Sequence, residues 1–171
     1  MMRGISNGAL LVAMMALLGS PHFAEAAVVP ARCWQKIQET RGNWRVAAGR
    51  SDIWLWAHAH HQTVDMVRGD VDGNGLTDSA VLLSRRSGKT MDMQIAVCFA
   101  AGDGATLQVI ESPYGGDGIT LTPKGGHVTD FEHDRDLTLQ SDGITSYSFD
   151  HAVSGTYVFE QGTFRLIITG D

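Results

Sequence analysis

The sequence predicts a mainly β domain of the α+β class: an antiparallel β-meander with a short helical N-terminal segment packed on it. Three observations carry that expectation. From about residue 64 onward, short runs rich in Val, Ile, Leu, Thr and aromatic residues alternate with turns built from Gly, Asp and Pro. Helical signals are confined to the stretch before them. No tandem repeat, low-complexity tract or linker divides the chain, whose 171 residues suit one domain.

The first 26 residues stand outside that domain. Arg3 supplies a positive start, "ALLVAMMALL" (9–18) an apolar core, and Ala24-Glu25-Ala26 a small-x-small cleavage site. This is the pattern of a secretory signal peptide, too short and wrongly flanked for a membrane span. Cleavage after Ala26 starts the exported domain at Ala27 and leaves it in the periplasm or outside the cell. No later run is long and apolar enough to cross a bilayer as a helix.

"PARCWQKIQETRG" (30–42) reads as a helix, with Pro30 in the first turn, Cys33, Trp34 and Ile37 on one face, and Gly42 as the stop. "SDIWLWAHAHH" (51–61) fits either a helix or an alternating strand, and the Ser51-Asp52 start favours helix. "DSAVLLSRR" (78–86) is apolar on both faces, as a central strand is. "MDMQIAVCFA" (91–100) alternates, with Met93, Ile95, Val97 and Phe99 on one side, and "RRSGKT" is the charged hairpin turn between the two. "ATLQVIES" (105–112), "GITLTP" (118–123), "DGITSYSFD" (142–150), "GTYVFE" (155–160) and "TFRLIITG" (163–170) complete the strands, with "EQG" (160–162) a tight connection.

The two cysteines, Cys33 and Cys98, both follow the cleavage site and enter an oxidising compartment, so one disulfide is expected, two separate buried thiols being the alternative. Parity places Cys98 on the face opposite Ile95 and Val97, where the helix carrying Cys33 can cover it. The formal charge of −6 disfavours nucleic acid and anionic membrane surfaces, both of which call for clustered Lys and Arg.

"RGDVDGNGLTDSAVLL" (68–83) crowds Asp70, Asp72, Asn74 and Asp78 into nine residues. Like charges repel at that spacing unless a cation lies between them. Ca²⁺ takes six to eight hard oxygens, and side chains at relative positions 1, 3, 5 and 9 can converge on one point, joined by the Leu76 carbonyl at position 7. Gly75 permits the sharp turn at position 6. The loop is no EF-hand, since position 12 is Val81 rather than Glu and the following segment reads as strand. The other reading is a metal-free Asp/Gly turn held by Asx-turns.

"GDVDGNGLTDSAVLL" resembles the calcium-loop segment of FG-GAP/VCBS-type repeats, the units of integrin α-chain propellers and of many secreted bacterial proteins. The resemblance implies Ca²⁺ held by Asp70, Asp72, Asn74 and Asp78 in a loop joining two strands, within a propeller-blade-like meander. The motif covers about 15 residues, and one such loop cannot supply a full propeller. The C-terminal "SDGITSYSFDHAVSGTYVFEQGTFRLIITGD" is similar to the closing hairpins of small exported proteins that carry this loop once.

Other clusters are weaker. His58 and His61 have the i, i+3 spacing of a zinc or copper pair on a helix, but no third ligand is placed. "DFEHDRD" (130–136) gathers Asp130, Glu132, Asp134 and Asp136 around His133 and Arg135 and reads as a solvated loop, with a second cation site or partner surface as the alternative. "SGKT" (87–90) lacks the upstream glycine of a phosphate loop, and G-x-S-x-G, H-E-x-x-H and S-x-x-K are absent. The functional expectation is an exported calcium-binding domain with a binding or structural role and no catalysis, its partner a protein of the cell envelope. The alternative is a periplasmic inhibitor or immunity protein against a cell-wall-degrading enzyme.

Overall fold

Alternation along residues 91–99 decides the architecture, because it gives one strand two apolar faces and each face needs a cover. The structure, a computed structural model, describes residues 29–47, 55, 59, 64–101, 104–111 and 113–170. Residues 1–26, expected to be a signal peptide, and the histidines His58 and His61 lie outside the described residues. Of the 51–61 stretch only Leu55 and Ala59 are described, and both are helical.

In chain order the elements are α1 (Ala31–Arg41), β1 (Arg45–Val46), β2 (Met66–Gly69), β3 (Asp78–Ser87), β4 (Thr90–Ala101), β5 (Gly104–Glu111), β6 (Gly118–Thr122), β7 (His127–Asp130), β8 (Arg135–Thr138), β9 (Gly143–Ser148), β10 (Val153–Glu160) and β11 (Thr163–Gly170). The protein is mainly β, every strand pairing is antiparallel, and the sheets do not close into a barrel. One five-stranded sheet has the order β1-β3-β4-β5, with β2 sharing an edge of β3 with β1. Met66–Gly69 pairs with the first half of β3, and Arg45 and Val46 pair with Ser84 and Leu83 further along. A second sheet has the order β11-β10-β9-β6, and β7 and β8 form a separate hairpin.

The two larger sheets pack face to face. Ala80, Leu82, Ile95, Val97 and Phe99 from the first meet Ile119, Ile144 and Tyr157 from the second in the main core. Phe99, Phe159 and Phe164 close one end of it, with ring centroids 4.6–6.0 Å apart. The opposite face of the first sheet carries Val81, Leu83, Ala96 and Cys98, and α1 covers it with Cys33 and Ile37. The Cys33–Cys98 disulfide spans this layer, with Cα atoms 5.7 Å apart. Helix and parity thus meet as the spacing predicts.

α1 begins at Pro30, whose carbonyl accepts the Trp34 N–H at 2.9 Å, and it ends before Gly42. Arg41 in its last turn suits the helix dipole and reaches Glu111 of β5 at 2.7 Å. The compact connection after β10 places Gln161 and Gly162 at φ of 51° and 84°, the positive pair that a two-residue hairpin turn requires.

The segment 130–136 is exposed over residues 131–136, as its reading as a solvated loop expects, and only Asp130 is buried. It belongs to the β7–β8 hairpin, which lies over the second sheet's outer face, where Val128 and Leu139 pack on Val158 and Ile167. With only four residues and mixed charge per strand, its pairing depends on that packing rather than on local alternation. Asp130, 2% exposed, accepts Arg135 Nε at 3.1 Å and lies 3.0 Å from His133 Nδ1. The hydrogen bond from His133, with that from Arg135, holds its carboxyl below the usual aspartate range. A depressed carboxylate adds stability that is present in full above the unfolded-state value and is lost as pH falls through the folded one. The stability gap between the parent and Asp130→Asn should therefore shrink as pH falls below about 5. Urea unfolding across that range measures it, and a gap independent of pH would refute the ionic role.

Candidate metal centre

The acidic loop is the connection between β2 and β3. Gly69 and Asp78 are paired across the two strands, so the residues between them form a closed turn with its carboxylates at the neck. Gly73 and Gly75, at φ of 76° and 84°, turn the backbone where a side chain would be strained.

Asp78 is fully buried and tied to the main chain. Its Oδ2 accepts Val71 N–H at 2.9 Å and Asp72 N–H at 3.3 Å, and its Oδ1 accepts Ala100 N–H at 2.8 Å. Burial pushes its carboxyl up, as does the Asp72 charge, while the three N–H donors oppose the rise. Asp72 Oδ1 accepts the Asn74 N–H at 3.1 Å, and Asp70 Oδ2 accepts the Gly75 N–H at 3.0 Å. The first is an Asx contact and the second reaches five residues on, and both curl the loop inward. Asp70 Oδ1 is buried and has no hydrogen-bond partner.

Oxygens of Asp70, Asp72 and Asp78 lie within 4.8 Å of one another, and among the described residues no other group of three or more Asp, Glu, His or Cys side chains converges so closely. Two oxygens sharing one Ca²⁺ at 2.3–2.6 Å are at most about 4.6–5.2 Å apart, so the spacing suits a single ion. The donor set fits a hard cation as well: all oxygen, three formal charges, and one buried acceptor lacking a donor. Asn74 is in the loop with its amide turned: Nδ2 donates to Asp72 Oδ2 at 3.0 Å and to the Ala100 carbonyl at 3.2 Å, while Oδ1 accepts Leu76 N–H at 2.7 Å. Leu76 holds its side chain toward solvent, 45% exposed. The structure thus brings together three of the five sequence-nominated residues through their carboxylates, with Asn74 and Leu76 bonded alongside.

Asp142 belongs to the same assembly. Its Oδ2 accepts the Asp70 N–H at 2.7 Å, its own N–H donates to the Asp70 carbonyl at 3.1 Å, and its Oδ1 accepts Lys124 N–H at 2.7 Å. It fastens the loop to the second sheet, so the acidic cluster sits at the seam of the sandwich. In the sequence Asp142 reads only as the first residue of the strand segment 142–150, and nothing local links it to a loop 72 positions earlier.

Chemically, the arrangement can hold a hard divalent cation and thereby join β2, β3 and the Asp142 turn. No family model matches this chain, and neither does any curated protein or solved structure.

Proposed function

We propose that the protein is an exported calcium-binding β-domain that works by binding, with Ca²⁺ stabilising the seam between its two sheets and a protein of the cell envelope as its partner. The observation that carries this reading is the convergence of carboxylate oxygens of Asp70, Asp72 and Asp78 within 4.8 Å of one another, with Asp70 Oδ1 buried and without a hydrogen-bond partner. The likeness of residues 69–83 to FG-GAP/VCBS loops supports calcium over magnesium, which demands near-octahedral geometry. The disulfide is compatible with an oxidising compartment and so supports a periplasmic or secreted location. No described helix is long and apolar enough to cross a membrane. Without the bidentate Glu of an EF-hand, the affinity belongs near the extracellular end, on the order of 10⁻⁵ to 10⁻³ M.

Asp72→Ala provides the test. This residue is partly exposed and among the described residues its carboxylate bonds only to Asn74, so its loss removes a ligand while costing little else. Calorimetry of the chelator-treated protein should show saturable heat on adding Ca²⁺, and Ca²⁺ should raise the melting temperature. In Asp72→Ala both responses should largely vanish while the melt in chelator stays close to that of the parent. Equal calcium shifts in parent and variant would remove this loop as the site.

A further inference from the structure

Strands β3 and β4 run on past the core. Beyond Leu83 and Gln94 the hairpin is no longer buried, and exposure rises steadily toward the turn at residues 87–90. Directly opposed residues project to one side of a sheet. Arg45 opposes Ser84, and Arg86 opposes Met91. By the two-residue period these positions share the face that, further along β3, carries Leu82 into the main core. Arg85 lies on the other face, where its guanidinium stacks over the Trp44 ring at 4.7 Å and pairs with Asp92 at 2.8 Å.

The overhang frames an open cleft of about 490 Å³, in which Arg45, Arg86 and Lys89 meet the hydroxyl-bearing Ser84 and Thr90; Arg85, paired with Asp92, also borders it, and no Asp or Glu lines it. Among the described residues none of Arg45, Arg86 and Lys89 has an ion pair. In a chain of net charge −6 this is a local reversal of sign. Three uncompensated cations raise one another's energy, and a single anion between them relieves all three. The charged groups offer donors only, and the guanidinium fork matches the oxygens of a phosphate in pairs. The volume falls within the range of small-molecule sites and exceeds what a bare phosphate fills. Met91, 56% exposed on the same face, offers apolar contact to an organic remainder.

The geometry points to a binding site for a phosphate ester, with Arg45, Arg86 and Lys89 holding the phosphoryl oxygens and Met91 packing against the group that carries them. The site is independent of the calcium loop, since Asp78 and Arg86 are roughly 26 Å apart along β3 at the strand rise.

The purified protein should be titrated at low ionic strength with inorganic phosphate, with glycerol 3-phosphate and with phosphatidylglycerol vesicles, using phosphatidylcholine vesicles as the blank. Binding should be saturable for glycerol 3-phosphate or for the anionic vesicles, and tighter than for inorganic phosphate. Losing one charge-assisted contact in Arg86→Gln or Arg45→Gln should weaken it about tenfold or more. Lys36→Gln, on the exposed side of α1, should leave it unchanged. A response to the soluble ester alone assigns a free phosphorylated solute, and a response to vesicles alone assigns a lipid headgroup. Either supports the site. Absence of saturable binding to every probe, or an equal loss in Lys36→Gln, overturns it.

Discussion

Asp78→Ala is expected to lower stability by about 3–5 kcal/mol even in chelator, because it leaves three backbone donors at the seam without an acceptor. The N–H groups of Val71, Asp72 and Ala100 all end on this one carboxylate, which is fully buried. An unmet buried donor costs about 1–3 kcal/mol. Asp78→Asn keeps one acceptor oxygen but turns an amide NH₂ toward a donor, so about half the loss is expected. Both variants should also lose the calcium response. The contrast with Asp72→Ala is informative: that change should abolish the calcium response yet leave the melt in chelator nearly unaltered. Urea titration of the parent and the three variants, each with Ca²⁺ and with chelator, reads these differences. An Asp78→Ala protein as stable in chelator as its parent would show that the buried carboxylate does not organise the loop.

Cys33→Ser should cost about 2–5 kcal/mol. The bridge closes 65 positions of chain, for which the chain-entropy account gives about 4 kcal/mol. It is also the covalent tie between α1 and the first sheet. An eleven-residue helix is marginal alone, so without the bridge α1 depends on Ile37, Trp34 and Trp44 packing over Val81 and Leu83. Amide exchange should therefore quicken most in α1, and the denaturation midpoint should fall. Cys33→Ser/Cys98→Ala, which also removes the buried thiol partner, should show the same loss. Mass analysis after alkylation in denaturant should find no free thiol in the parent and one in the single variant; two in the parent would refute the bridge.

Much of this protein is legible in local pattern. The two-residue period of 91–99 assigns Ile95 and Val97 to one core and Cys98 to the other, and the buried run 78–83 marks β3 as central. The Pro30 start and Gly42 stop bracket α1 to within a residue. The spacing of Asp70, Asp72 and Asp78 identifies the candidate cation loop for the same reason, since all its carboxylates come from one short turn. The β7–β8 hairpin was not legible, because its four-residue strands carry too little alternation and take their pairing from the second sheet beneath them.

By itself the sequence determines what depends on neighbours along the chain: helix limits, strand faces, tight turns, the acidic loop and the means for one disulfide. Only the tertiary structure decides which sheet each strand joins, that β6 pairs with β9 although the β7–β8 hairpin lies between them in sequence, and that Asp142 locks the loop to the second sheet. It alone brings Arg45 beside Arg86, since β1 and β2 compete for one edge of β3 and divide it between them. Local pattern records which face of a strand is apolar. Which partner buries that face is set by the packing of the whole chain, where many distant contacts of similar strength are satisfied together.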